Sequence, residues 1–174
     1  MQKYRKLLTF ATKFSFIMEQ IQVEASIYRA QLAELTEEEQ ELAAMAIEYS
    51  NRSYAPYSHF SVGAALRLAN GVTMGGCNQE NAAFPDGLCA ERTVLFAAGA
   101  QYPDQPVVML AIAARDTHGI LTRQPISPCG SCRQVLIETE KRFNTPVRML
   151  LYGSDFVYVV DGISSLMPLS FVSF

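Results

Sequence analysis

The chain has 174 residues, a length typical of one domain, and 49% of its residues are hydrophobic while 18% are charged. This balance predicts a soluble globular protein and excludes a disordered or collagen-like chain. A net charge of −3 without a long basic cluster argues against nucleic-acid binding, and no apolar run approaches the roughly 20 residues that span a membrane. A small-molecule ligand is therefore expected.

The first residues, MQKYRKLLTFATKF, combine a basic start with apolar residues. Lys13 interrupts the apolar segment and no small-residue cleavage site follows, so we do not predict a signal peptide. Apolar and polar residues then alternate, which predicts an edge strand with Ile21, Val23, Ala25 and Ile27 on one face. We interpret residues 1–34 as an N-terminal extension and residues 35–174 as the main domain.

A helix is predicted next, because Thr36 can cap its start and Glu39 completes a capping box. Its apolar face repeats at helical spacing through Leu42, Met45, Ala46 and Tyr49. Two β-prone runs follow, joined by Asn70 and Gly71, which favour a two-residue hairpin turn. An antiparallel strand pair is expected there.

The second half of the chain alternates helical and strand patterns. Helices are predicted from Cys89 to about Ala100 and from Cys129 to Phe143, and strands in VVMLAIAA, VRMLLYG and FVYVV. Such alternation predicts βαβ units and hence a largely parallel sheet, which the hairpin makes mixed. The predicted fold is α/β, a three-layer α/β/α domain with a mixed central sheet of about five strands.

The spacing of Cys129 and Cys132 at the start of a helix is typical of a metal site or of a redox dithiol, and the pair alone does not decide between them. Cys89 favours zinc, because Cys-Ala-Glu followed later by Pro-Cys-Gly-Ser-Cys matches the signature of zinc nucleobase deaminases. Cys77 is interpreted as a core residue, and His59 and His118 as loop residues. The short spacing of Cys129 and Cys132 is typical of metal or redox chemistry in a reducing compartment, so a cytoplasmic location is expected.

Three motifs give the chain a more specific resemblance: YAPYSHFSVGAAL, NQENAAFPDGLCAER and PCGSCRQVL. In this order and spacing they resemble the cytidine deaminases of the small, homotetrameric, zinc-dependent type, over about Leu35 to Phe171. The resemblance implies one Zn²⁺ per subunit, held by Cys89, Cys129 and Cys132. Three protein ligands and an open position are typical of catalytic rather than structural zinc.

The resemblance also implies the reaction, which is hydrolytic deamination of cytidine, with deoxycytidine as a further substrate, in pyrimidine salvage. Glu91 would accept a proton from the attacking water and deliver protons to N3 and to the leaving amine. Arg92 would bond the cysteine sulfurs and offset their negative charge, and the less favoured alternative is a solvated surface arginine. The N-termini of both helices favour thiolates in the same way.

The substrate contacts rest mainly on the resemblance. Asn78 and Glu80 would bind the ribose 3′-hydroxyl, and alternation along an extended segment places both side chains on one side. A carboxylate there would repel a 3′-phosphate, which indicates a free nucleoside. The remaining implied contacts are stacking on the base by Phe60, backbone contacts by Ala82 and Ala90, and a contact with a neighbouring subunit's active site by Phe171.

Some features depart from the family pattern, and two alternative functions stay open. Phe84 stands where many relatives have tyrosine, Ser61 replaces a common proline, and the first 35 or so residues match nothing in the shortest relatives. The alternatives are a deaminase of another cytosine-containing small molecule, such as a nucleoside antibiotic, and a non-catalytic zinc-stabilised binding module. Glu91 beside an open coordination position argues against the second alternative.

Overall fold

The computed structural model describes residues 19–172. The first 18 residues, which include the segment considered above as a signal peptide, lie outside the described part. The helices are α1 (Glu37–Ser50), α2 (Ala90–Gln101) and α3 (Gly130–Phe143). The strands are β1 (Tyr28–Ala30), β2 (Ser61–Leu68), β3 (Thr73–Cys77), β4 (Val107–Arg115), β5 (Arg148–Tyr152) and β6 (Val157–Asp161). Short 3₁₀ helices span Leu32–Glu34, Phe84–Asp86 and Ile163–Ser165.

The six strands form one mixed sheet in the order β1-β6-β5-β4-β2-β3. The prediction of a three-layer fold with a mixed sheet is confirmed, but the expectation of a largely parallel sheet is wrong. Only β4 and β5 pair in parallel, and the other four pairings are antiparallel. Strands β3 and β4 run in the same direction, yet β2 lies between them, and the short loop from β5 to β6 permits only an antiparallel return.

The edge strand is shorter and later than predicted. No strand includes Ile21–Ile27, and β1 begins at Tyr28, which pairs with Val159 of β6. The apolar side chains of the alternating segment remain exposed, 78% for Ile21 and 46% for Ile27. In the antiparallel register of β1 and β6, Asp161 at the end of β6 faces Ser26, and the chain turns away at Gly162, with φ at 84°. Residues before Ser26 therefore have no strand to pair with.

The hairpin between β2 and β3 forms, but its turn differs from the prediction. The backbone N–H of Gly71 donates to the carbonyl of Leu68, and the N–H of Leu68 donates to the carbonyl of Val72, so the loop has three residues. Gly71 has φ at 87°, whereas Asn70 is not at positive φ. One glycine in the left-handed region after a tight turn closes this loop, so Asn70 does not need that conformation.

The helices form two layers, one on each face of the sheet. On one face α1 packs through Leu42 and Ala46 against residues of β2, β4, β5 and β6. On the other face α2 and α3 pack through Val94, Leu95 and Leu136 on the remaining core residues. Among the helices within residues 19–172, none is long and apolar enough to cross a bilayer.

A buried carboxylate joins α1 to the sheet. Glu39 is 4% exposed, accepts a hydrogen bond from Arg148 Nε of β5 at 2.5 Å, and accepts another from the backbone N–H of Thr36 at 2.8 Å. The side chain of Thr36 in turn accepts from the N–H of Glu39, which confirms the predicted capping box. Burial alone would raise the pKa of Glu39, but the hydrogen bonds from Arg148 and Thr36 lower it below its ordinary value.

We predict that Glu39→Gln lowers the free energy of unfolding by about 1–2 kcal/mol at pH 7, towards the lower value because Arg148 is 40% exposed. A depressed pKa means that this stabilisation is present above the unfolded pKa of about 4.3 and is lost as the pH falls through the folded pKa. Urea unfolding at pH 7 and pH 4 measures the effect. Glu41→Gln, an exposed position on the same helix, is the control, and an equal pH dependence in both variants would contradict the prediction.

Candidate active site

Two helix N-termini bring three thiols together. Cys89 is the N-cap of α2 and Cys129 the N-cap of α3, while Cys132 lies one turn into α3. The Sγ atoms of Cys89 and Cys129 are 3.7 Å apart, and those of Cys129 and Cys132 are 3.4 Å apart. All three lie within 4.8 Å of one another and none is in a disulfide.

The position of α2 depends on a close contact with the sheet. A Cβ atom built on Gly76 of β3 would lie 2.9 Å from the backbone nitrogen of Val94 and 3.1 Å from the carbonyl oxygen of Ala90. Only glycine therefore lets the first turn of α2 approach the strand this closely. That turn carries Glu91 and follows Cys89, so the contact at Gly76 helps to set the geometry of the thiols.

The cluster fits a zinc ion. A tetrahedral Zn²⁺ with Zn–S bonds of 2.3 Å separates its sulfur ligands by about 3.8 Å, close to the observed spacings. Within residues 19–172, no fourth histidine, cysteine, aspartate or glutamate joins this group. Three thiolates and one open position correspond to a catalytic rather than a structural zinc site.

The surroundings of Cys89 favour its thiolate form. A hydrogen bond from Cys132, together with the Arg92 guanidinium, lowers the pKa of Cys89 to about 5, and the same bond with Cys89 raises the pKa of Cys132. Arg92 Nη2 lies 3.7 Å from Cys89 Sγ. The solvated-surface interpretation of Arg92 does not describe this geometry, because its Nε is buried, although that atom has no hydrogen-bond partner within the described chain.

Glu91 lies in the first turn of α2 and is 4% exposed. Burial raises the pKa of its carboxyl above the ordinary value, and the negative charge of Cys89 raises it further. A buried carboxyl with a raised pKa beside a metal site can bind a proton and release it again. This is the chemical property that a proton shuttle needs.

A cavity of about 330 Å³ opens beside the thiols and Glu91. Of the residues singled out from the sequence, it is lined by Phe60, Asn78, Cys89, Ala90, Glu91 and Cys129. Sequence reasoning missed four further lining residues, which are Ser58, Val62, Ile126 and Ser127. Ser58 and Val62 lie within the motif around Phe60, whereas Ile126 and Ser127 precede the cysteine pair in a loop with no motif of its own.

The side chain of Asn78 holds the backbone of strand β2. Its Oδ1 accepts from the N–H of Val62 at 2.7 Å and its Nδ2 donates to the carbonyl of Phe60 at 2.9 Å. An asparagine amide offers two donor hydrogens and two acceptor lone pairs, so one of each is left over at the cavity. Asn78 therefore supports the strand while its remaining amide groups stay available.

Glu80 lies outside this first cavity. It lines an adjoining cavity of about 400 Å³ together with Tyr57, Ser58, Asn81, Phe84 and Gly87. Phe84 is 74% exposed and its ring meets that of Tyr57 edge to face at 5.7 Å between centroids. Ala82 is exposed and lines neither cavity.

Phe171 lies far along the chain from the thiols, in the segment that follows β6. Its side chain is 63% exposed and its carbonyl oxygen accepts a hydrogen bond from Gln134 Nε2 of α3 at 2.8 Å. Phe171 lines neither of the two adjoining cavities of this chain. Its predicted role in a neighbouring subunit's site stays a prediction.

Three converging thiols beside a buried acid form a group that can hold a zinc ion, and comparison with known proteins identifies the family. Residues 36–145 match the family model described as the cytidine and deoxycytidylate deaminase zinc-binding region. The chain therefore belongs to this family. The family assignment confirms the predicted zinc cofactor and the resemblance on which the prediction rested.

Individual relatives agree with this assignment. The chain is 43% identical to a cytidine deaminase of Halalkalibacterium halodurans over 53% of its own length and 65% of the relative's. It is 46% identical to a cytidine deaminase of Sporosarcina psychrophila over 50% of its length and 59% of the relative's. It thus spans less than two thirds of either protein. The crystal structure of a cytidine deaminase from Burkholderia pseudomallei, 35% identical, superposes with a TM-score of 0.65 over 79% of this chain and 100% of that one.

Proposed function

We propose that the protein hydrolyses cytidine, and also deoxycytidine, to uridine or deoxyuridine and ammonia. The observation that carries this proposal is the burial of Glu91 beside three converging thiols that no fourth protein ligand joins within residues 19–172. A zinc-stabilised binding module has no use for a buried acid in this position. The family and its relatives named as cytidine deaminases support the same substrate.

The reaction adds water to C4 of the pyrimidine and expels the 4-amino group as ammonia. When bound, zinc supplies a Lewis acid that lowers the pKa of a water at its open position. The carboxylate of Glu91 takes one proton from the attacking water and delivers it to N3, then takes the remaining proton from the new hydroxyl on C4 and delivers it to the departing amine. Arg92 places positive charge next to the thiolate of Cys89.

The two adjoining cavities suit the two halves of a nucleoside. The first, with Phe60 and Glu91, would hold the base, with the Phe60 ring stacked on it and the backbone of Ala90 in contact with it. The second, with Glu80, would hold the sugar, near the backbone of Ala82. Asn78 at the first cavity and Glu80 at the second would bind the 3′-hydroxyl between them.

The proposal includes the cellular location and the oligomeric state of the protein. A cluster of free thiols requires a reducing compartment, which supports a cytoplasmic enzyme of pyrimidine salvage. A homotetramer is proposed as well, and the exposed ring of Phe171, in a segment that would reach a neighbouring subunit's active site, supports it.

We predict that the purified protein with bound zinc removes the cytosine absorption band of cytidine and releases one ammonia for each nucleoside. Rates with cytidine, deoxycytidine, cytidine 3′-monophosphate and cytosine should identify the free nucleosides as the preferred substrates, because Glu80 repels phosphate near the 3′ position and cytosine lacks the sugar. A zinc-loaded protein that leaves all four compounds unchanged would contradict the proposal.

A further inference from the structure

The carboxylate of Glu80 is held by the loop before β2. Its Oε2 accepts from the backbone N–H groups of Tyr57 at 2.9 Å and Ser58 at 3.2 Å, and its Oε1 accepts from Ser58 Oγ at 2.5 Å. Two carboxylate oxygens offer about four acceptor sites, so these donors leave one site on Oε1. The hydrogen bond from the Ser58 hydroxyl, together with the two backbone bonds, lowers the pKa of Glu80 below its ordinary value, which keeps it ionised.

The hydroxyl of Ser58 forms a bridge. It donates to Oε1 of Glu80 and accepts from the backbone N–H of Phe60 at 3.1 Å. Through this one oxygen atom, the orientation of the Glu80 carboxylate is coupled to the backbone position of Phe60. The residue between them, His59, has φ at 54°, a left-handed conformation that ordinary residues rarely adopt, and its N–H donates to the carbonyl of Ala55. The loop is therefore held in one specific shape.

Ser58 also occupies the junction between the two cavities. It is the residue common to the lining of the cavity that contains Glu91 and of the cavity that contains Glu80. A nucleoside with its base in the first cavity and its sugar in the second would pass directly beside the Ser58 hydroxyl.

We propose that Ser58 is a positioning residue for the sugar of the substrate: its hydroxyl orients Glu80 so that the remaining acceptor site of the carboxylate meets the 3′-hydroxyl. This inference rests on the proposed function, because it takes a nucleoside as the ligand. Ser58 itself makes no step of the reaction and acts through Glu80. Its loss should therefore raise KM and leave kcat nearly unchanged.

The test compares Ser58→Ala with wild type on two substrates that differ only in the 3′-hydroxyl, deoxycytidine and 2′,3′-dideoxycytidine. We expect kcat/KM for deoxycytidine to fall about tenfold, through KM, because one hydrogen bond to a charged group is lost. For 2′,3′-dideoxycytidine the change should stay below about twofold, since that nucleoside has no hydroxyl for Glu80 to bind. Ser58→Thr, which keeps the hydroxyl, should restore most of the loss.

The controls separate positioning from general damage. Ser164→Ala, at an exposed position after β6, should match wild type on both substrates. An equal loss of kcat/KM on both substrates in Ser58→Ala would overturn the proposal, because it would mean that the hydroxyl only stabilises the loop. No loss on either would overturn it as well.

A binding measurement keeps this test independent of turnover. Calorimetric titration with deoxyuridine and 2′,3′-dideoxyuridine should show the same selective weakening in Ser58→Ala, about tenfold in Kd for deoxyuridine alone. A wild-type protein that deaminates neither substrate would contradict the proposed function, while these titrations would still decide the role of Ser58. Equal binding of deoxyuridine by wild type and Ser58→Ala would overturn the positioning role.

Discussion

Glu91→Gln is expected to lower kcat for cytidine by about 10²–10⁴-fold while one zinc ion per chain stays bound. Glutamine has the size of glutamate and preserves the buried packing of a side chain that is 4% exposed, but it cannot take a proton from water. Since Glu91 is not one of the three clustered ligands, zinc binding should not depend on it. Steady-state kinetics and metal analysis on the same sample measure both quantities.

Glu138→Gln is the matched control for this variant. Glu138 lies on the exposed side of α3, outside the cavity that contains Glu91, so its activity and zinc content should equal those of wild type. Turnover within a few-fold of wild type in Glu91→Gln would remove Glu91 from the reaction. Loss of zinc in the same variant would instead make it a ligand.

Cys132→Ser is expected to reduce the bound zinc from one ion per chain to almost none and to abolish deamination. Cys132 is fully buried on α3, and its thiol completes a ligand set of three. A serine hydroxyl does not ionise near neutral pH and is a poor zinc ligand, so two thiolates alone would have to hold the ion. Metal analysis after dialysis, combined with thermal unfolding, should show the loss of zinc and a lower Tm.

Cys77→Ser tests whether zinc is lost only when one of the three clustered cysteines is replaced, or when any buried cysteine is replaced. Cys77 is also buried, but its Sγ donates to the carbonyl of Arg52 and accepts from Gln79 Nε2, so a hydroxyl can replace it. This variant should keep its zinc. Full zinc occupancy in Cys132→Ser would contradict the assignment, and a chelator should lower the Tm of wild type but not that of Cys132→Ser.

Local patterns predicted the helices and most strands well, because each rests on contacts between near neighbours in sequence. Thr36 and Glu39 form the expected capping box, and Cys89 and Cys129 occupy the N-cap positions of α2 and α3, where the sequence predicts that these helices begin. Whether strands pair in parallel depends on which strands become neighbours in the sheet. The position of β2 between β3 and β4 cannot be inferred from the periodicity of the sequence. For the same reason the alternation at Ile21–Ile27 did not reveal that β6 ends opposite Ser26, before it could pair with most of this segment.

The candidate site also contains some features that short sequence motifs predict and others that they do not. The zinc ligands could be predicted because the chemistry of three thiols and an acid is visible in short motifs. The structural contacts of Asn78 and the bridge through Ser58 could not, since both depend on how the loop before β2 meets the segment after β3. Ile126 and Ser127 line the cavity only because the chain folds back after β4, which no local pattern records.

The thiols at the starts of α2 and α3 also bear on how long the protein survives in a cell. Cys89 and Cys129 stand 40 residues apart in the chain, and a shared ion would tether the two helices across the whole of β4. Because the ion binds the folded chain, the ratio of folded to unfolded protein rises with the free metal concentration. Under metal scarcity, a cell would then lose the protein itself to proteolysis as well as its activity, so abundance and catalysis would fall together.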